Sequence, residues 1–173
     1  DGHVYALERA TGALVWKFRA DTVAEVEARY GVESYNLDWF EGNLAMLPDG
    51  TLLAPNDNFL IYAIDRDSGE KKREFLGNEL MWSLPAVNPR SGRIFAGSQF
   101  LLWRNVFAFD ARSGERAWAS GGFGSNAASP LLTSSDENGA VVLGGFDGYV
   151  RAYAQSSGKQ LWTARYPSSF TKN

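Results

Sequence analysis

Hydrophobic residues fall in short, often alternating runs, most of them bounded by glycine, asparagine, aspartate, proline or serine. In the last third, the runs Ser129–Thr133, Ala140–Gly144, Tyr149–Tyr153 and Gln160–Ala164 are separated by Asp136-Glu137-Asn138-Gly139, Phe146-Asp147-Gly148 and Ser156-Ser157-Gly158. Such runs between turn clusters predict four short strands joined by tight turns. The same layout predicts strands at Ser83–Val87, Arg93–Gly97, Asn105–Asp110 and Glu115–Ala119, and before them at Leu44–Leu47, Thr51–Ala54, Leu60–Asp65 and Glu70–Phe75. At the start only the last two strands of such a unit are present. The stretch between Trp16 and Leu44 does not read as strand. Asp21-Thr22 predicts a helix cap, Val23, Val26 and Tyr30 then share one face, and Gly31 stops the helix.

The units are copies of one another. Val4-Tyr5-Ala6-Leu7 leads through Thr11-Gly12 to Trp16, and Ile61-Tyr62-Ala63-Ile64-Asp65 through Ser68-Gly69 to Arg73. Val106-Phe107-Ala108-Phe109-Asp110 leads through Ser113-Gly114 to Trp118, and Val150-Arg151-Ala152-Tyr153 through Ser157-Gly158 to Trp162. The turn glycines at 12, 69, 114 and 158 are spaced by 57, 45 and 44 residues. A period in the mid-forties is the length of one four-stranded propeller blade. Gly supplies the positive φ that a tight hairpin needs, and Asp65 and Asp110 can bond back to turn amides. The Trp residues present a flat face to a neighbouring blade and an N–H to satisfy there, with Ala6, Ala63, Ala108 and Ala152 leaving room. Gly12, Trp16, Gly69, Gly114, Trp118, Gly158 and Trp162 are therefore read as structural.

These residues resemble the PQQ-type propeller repeat of quinoprotein dehydrogenases and of non-enzymatic relatives such as the outer-membrane assembly propeller lipoprotein. The resemblance covers nearly the whole chain outside residues 20–42. It departs at Arg73, where Trp is expected, and at Glu8 and Ala154, where Asp is usual. The expected architecture is all-β: a partial propeller of about three and a half blades in one domain. Residues 1–19 form a half blade, 20–42 an insertion, and 43–76, 77–120 and 121–166 one blade each. A closed ring of seven or eight blades takes roughly 300–350 residues. Part of a longer protein is the expected reading, with self-association through open blade edges as the alternative.

Composition narrows the chemistry. The chain has 173 residues, 18 Gly, six Trp, seven Tyr and eleven Phe, and a formal net charge of −3. The acidic balance speaks against a nucleic-acid surface, and no run is long enough for a membrane helix. With no cysteine, disulfides and Cys-ligated metals are ruled out, and with only His3 so are multi-histidine metal sites; His3 has no nucleophile motif near it for a Ser-His-Asp set. Gly121-Gly122-Phe123-Gly124 precedes a strand rather than a helix, which makes a phosphate cradle a poor fit.

Loops entering the blades and linking their second and third strands share one face, where propellers usually bind ligands. Candidate ligand or partner loops there carry Asp38, Trp39, Glu41, Asn56, Asp57, Trp82, Trp103, Arg104 and Phe123; Asp147 lies on the same face. The segment around Trp39 and Phe40 is either a lid or a surface insertion packed on the blade. Asn56-Asp57-Asn58 is either an oxygen-rich calcium site or an Asn/Asp turn. Trp103-Arg104 could clamp a carboxylate or planar ring, unless Phe100–Trp103 is inter-blade core.

Two functions remain. A non-catalytic scaffold would hold a protein or polymer partner, with no cofactor. The alternative is part of a PQQ-dependent dehydrogenase, for which the resemblance implies PQQ with calcium, an adjacent cysteine pair and a catalytic Asp. The cysteine pair is absent. By the same resemblance, the parent protein is expected in the periplasm or outside the cell.

Overall fold

A computed structural model describes residues 1–33, 37–77, 79–98, 105–121 and 128–166. Strands β1 (His3–Leu7) and β2 (Leu14–Arg19) form a two-stranded sheet, followed by helix α1 (Val23–Tyr30). Three four-stranded sheets follow. The first contains β3 (Ala45–Met46), β4 (Leu52–Pro55), β5 (Leu60–Ile64) and β6 (Lys71–Leu76). The second contains β7 (Ala86–Val87), β8 (Arg93–Gly97), β9 (Val106–Asp110) and β10 (Arg116–Ser120). The third contains β11 (Leu131–Leu132), β12 (Ala140–Gly144), β13 (Tyr149–Ala154) and β14 (Gln160–Arg165). Each strand pairs antiparallel with its neighbour in sequence, so each sheet is a meander and a propeller blade.

The expected strands are present, with one correction. The first strand of each full blade is only two residues long rather than four or five. Proline explains the shortening in two of them, because Pro85 and Pro130 precede β7 and β11 and have no N–H for the ladder. In the other, Leu47 turns away to accept from Gly50 and donate to Thr51.

Each hairpin between the third and fourth strands is built the same way. Gly12, Gly69, Gly114 and Gly158 sit at φ of 72°, 75°, 82° and 70°. The Asp65 carboxylate accepts from the amides of Asp67 and Ser68 at 3.0 and 2.9 Å, and Asp110 repeats this with Arg112 and Ser113. A register shift beside the recurring alanine then places Trp16 opposite Ala6, Arg73 opposite Ala63, Trp118 opposite Ala108 and Trp162 opposite Ala152. The small residue lets the large one lie across the sheet.

The large residue locks one blade to the next. Trp16 Nε1 donates to the Arg66 carbonyl at 2.9 Å, and Trp118 Nε1 to the Gln155 carbonyl at 2.9 Å. Each acceptor stands three residues before the turn glycine of the following blade. A Cβ on Gly69 would lie 2.6 Å from the Trp16 ring, and one on Gly158 2.6 Å from that of Trp118. At the middle seam Arg73 takes over: its Nη1 donates to the Ala111 carbonyl at 3.0 Å. The departure at Arg73 thus keeps the inter-blade bond while changing the group that makes it. Trp162, at the last blade, is 47% exposed.

Three apolar clusters fill the seams. Val4, Phe18, Ala54, Leu60, Tyr62 and Ile64 join the two-stranded sheet to the first four-stranded one, and Val26 of α1 adds to them. Leu53, Ile61, Phe75, Ile94, Phe107 and Phe109 fill the next seam. Phe95, Val106, Ala108, Val141, Leu143 and Tyr153 fill the last. Burial of this kind contributes about 25 cal/mol per Å² of apolar surface, so the seams are the main source of cohesion.

Candidate binding site on the loop face

Helix α1 forms where its sequence places it. Thr22 caps α1 in a reciprocal box with Glu25, and Gly31 ends it at φ 66°. Val26 is fully buried, whereas Tyr30 stays partly exposed and donates its hydroxyl to Glu74 at 2.7 Å. Arg29 pairs with both Asp21 and Glu74, and Lys71 bridges the same two carboxylates at 3.0 and 2.7 Å. Burial alone would raise the pKa of Asp21 and Glu74, but these hydrogen bonds outweigh it and hold both carboxyls below their ordinary values. Asn58 completes the anchor by donating to the Asp21 carbonyl at 2.8 Å and to the Tyr62 hydroxyl at 2.7 Å.

Beyond the helix the chain crosses the turn between β4 and β5. Asn56 Nδ2 donates to the Asp38 carbonyl at 2.9 Å, and the Asp57 amide donates to the Trp39 carbonyl at 3.0 Å. A Cβ on Gly42 would lie 2.5 Å from the Trp82 carbonyl oxygen, so glycine is what lets the loop close against Trp82. Phe40 packs on Phe18 and Tyr62 with ring centroids 6.3 and 5.8 Å apart, while Trp39 points outward and is 47% exposed. The segment is therefore a packed insertion at Phe40 and an open surface at Trp39.

The Asn/Asp turn is also divided in role. Asn56 and Asn58 are buried and hydrogen-bonded, and Asn56 Oδ1 accepts the Asn58 amide at 2.9 Å in an Asx turn. Asp57 is equally buried, yet neither carboxylate oxygen has a hydrogen-bond partner. The Trp82 Nε1 is likewise buried without one. Burial, then the charges of Glu41 and Asp38, push the Asp57 carboxyl up to about 6; the Trp82 indole works against them without closing a hydrogen bond. Phe59 holds φ 75°, a conformation costing on the order of 1–2 kcal/mol for a side chain of this size. The corresponding turn in the last blade has Gly148 at φ 82°. In the sequence, Phe59 stands where the last blade has Gly148, and that substitution is the local mark of the strain.

Asp38, Trp39, Glu41, Asn56, Asp57 and Trp82 thus come together. Trp103, Arg104 and Phe123 lie outside the described residues. Asp147 is engaged elsewhere, in a half-buried ion pair with Arg151 at 2.5 Å. Among the described residues no three His, Cys, Asp or Glu side chains come together as metal ligands.

The family model for outer membrane protein assembly factor BamB matches residues 1–173. The chain belongs to this family of PQQ-repeat β-propellers. Among solved structures, BamB from Moraxella catarrhalis is similar, with a TM-score of 0.66 and 20% sequence identity. The match covers 95% of this chain and 44% of that one, so the chain spans less than half of its structural relative. No curated protein sequence matches it. No helix among the described residues is long and apolar enough to cross a membrane.

Proposed function

We propose that this chain is a non-catalytic binding scaffold within a larger exported propeller, acting in the periplasm or outside the cell. Its partner is a protein with a basic side chain that engages the loop face. The buried, unpartnered carboxylate of Asp57 carries this reading. Asp38 and Glu41 add charge around it, and no ion pair satisfies any of the three among the described residues. A guanidinium or ammonium paired with the exposed Glu41 carboxylate would offset the charge that Asp57 carries beneath it, and Trp39 offers an exposed ring beside them. The similarity to a named assembly factor supports a role in outer membrane protein assembly.

The test is site-specific photo-crosslinking from position 39 in an exporting host, with the crosslinked protein identified. The proposal expects a discrete adduct that disappears in D57N and E41Q. An unchanged adduct in both variants would remove the acidic site from the reading. A saturable, calcium-dependent response to PQQ would favour the dehydrogenase alternative.

A further inference from the structure

The middle seam differs from the seams on either side of it. Next to Gly69 and Gly158 an indole fills the space over the neighbouring hairpin. Next to Gly114 the nearest side-chain atom is Arg73 Cδ, 3.2 Å from where a Cβ would stand. An arginine stem is thinner than an indole. A cleft of about 420 Å³ lies beside it, lined by Leu47, Asp49, Lys72, Arg73, Ala111 and Arg112 among others. It shares Leu47, Asp49, Ala111 and Arg112 with an adjoining hollow of about 210 Å³ that adds Arg90.

The cleft is cationic. Lys72, Arg73 and Arg112 line it against the single carboxylate of Asp49. That carboxylate is committed to its own turn, accepting the Thr51 amide at 2.9 Å, and this bond holds its pKa low. Lys72 donates to Thr51 Oγ1 at 3.0 Å and stands 3.8 Å from Asp65. Arg112 is exposed and forms no ion pair among the described residues. Arg73 needs only one of its five N–H donors for the Ala111 carbonyl, the bond that the indole makes at the other seams. The seam role therefore explains neither the remaining donors nor the charge.

We propose that this cleft binds a small ligand through a carboxylate or phosphate group, held by the Arg73 fork and flanked by Lys72 and Arg112. A planar guanidinium matches either oxyanion with two parallel hydrogen bonds. The volume lies within the range of small-molecule sites, roughly 300–1,000 Å³. The site is at the hairpin end of the seam and is separate in residues from the Asp57 cluster.

The test is calorimetric titration of the whole chain at low ionic strength with inorganic phosphate and, separately, with citrate. Saturable, salt-sensitive binding of at least one is expected, and the preferred probe distinguishes phosphate from carboxylate recognition. R73W restores the indole of the other seams; it should weaken binding by about tenfold or more, the loss of one bidentate charged pair, with the melting temperature unchanged or raised. R73K keeps the charge without the fork and R112A removes a flanking charge, and each should weaken binding several-fold. They carry the comparison if R73W does not fold. Absence of saturable binding to either probe in the wild type overturns the proposal. So does unchanged affinity in R73K and R112A.

Discussion

Replacing Asp57 with Asn keeps the shape of a buried side chain while removing its charge. The carboxyl is raised from 3.8 to about 6, chiefly by burial and secondarily by Glu41 and Asp38. Each pKa unit corresponds to about 1.4 kcal/mol, so the ionised native state is disfavoured by up to about 3 kcal/mol. The sign follows from proton binding. Between about pH 4 and pH 6 the folded protein holds a proton that the unfolded chain has released, so stability falls as pH rises through that window. Above it the full cost of the buried anion remains. D57N should therefore be more stable than wild type by about 1–3 kcal/mol near pH 7.5 and nearly equal to it near pH 4. Urea unfolding followed by Trp fluorescence at both pH values measures the difference. Destabilisation by D57N near pH 7.5, larger than any near pH 4, would show that the ionised carboxylate is satisfied in the fold, and the binding argument would fail with it.

Other substitutions test the seams and the insertion. W118A removes an indole and its bond to the Gln155 carbonyl, and should cost about 2–4 kcal/mol in chemical denaturation. G69A and G12A share a positive φ, but only Gly69 faces a ring, at 2.6 Å, whereas nothing lies within 4 Å of a Cβ on Gly12. Comparing their melting temperatures should show G12A costing about 1 kcal/mol and G69A clearly more. T22A should weaken α1 by about 1 kcal/mol through loss of the capping box, visible as faster amide exchange in residues 23–30.

Repeat, turn and capping chemistry were legible in the sequence because each is local. Gly12, Gly69, Gly114 and Gly158 mark one hairpin repeated, and Thr22 and Gly31 bound the helix as expected. The short first strands were less legible, since Pro85 and Pro130 sit in runs whose apolar content alone suggests longer pairing. What joins separate segments was not legible. The Arg29–Glu74 and Lys71–Asp21 pairs link residues that are far apart in the chain, and no local pattern marks them. Asn56, Asp57 and Asn58 look alike as a turn. Only the packing separates the two bonded amides from the carboxylate left without a partner. Arg73 read as a missing Trp, and its seam bond emerges only once the neighbouring hairpin is in place.

The proposed function requires the loop face to bind a basic group on a partner rather than a redox cofactor. Trp fluorescence of the whole chain, titrated with an arginine-containing tetrapeptide and in parallel with PQQ plus calcium, tests it most directly. The expected result is a saturable, salt-sensitive change with the peptide that is lost in D57N, and no saturable response to PQQ. A saturable PQQ-dependent quench together with indifference to the peptide would contradict the claim.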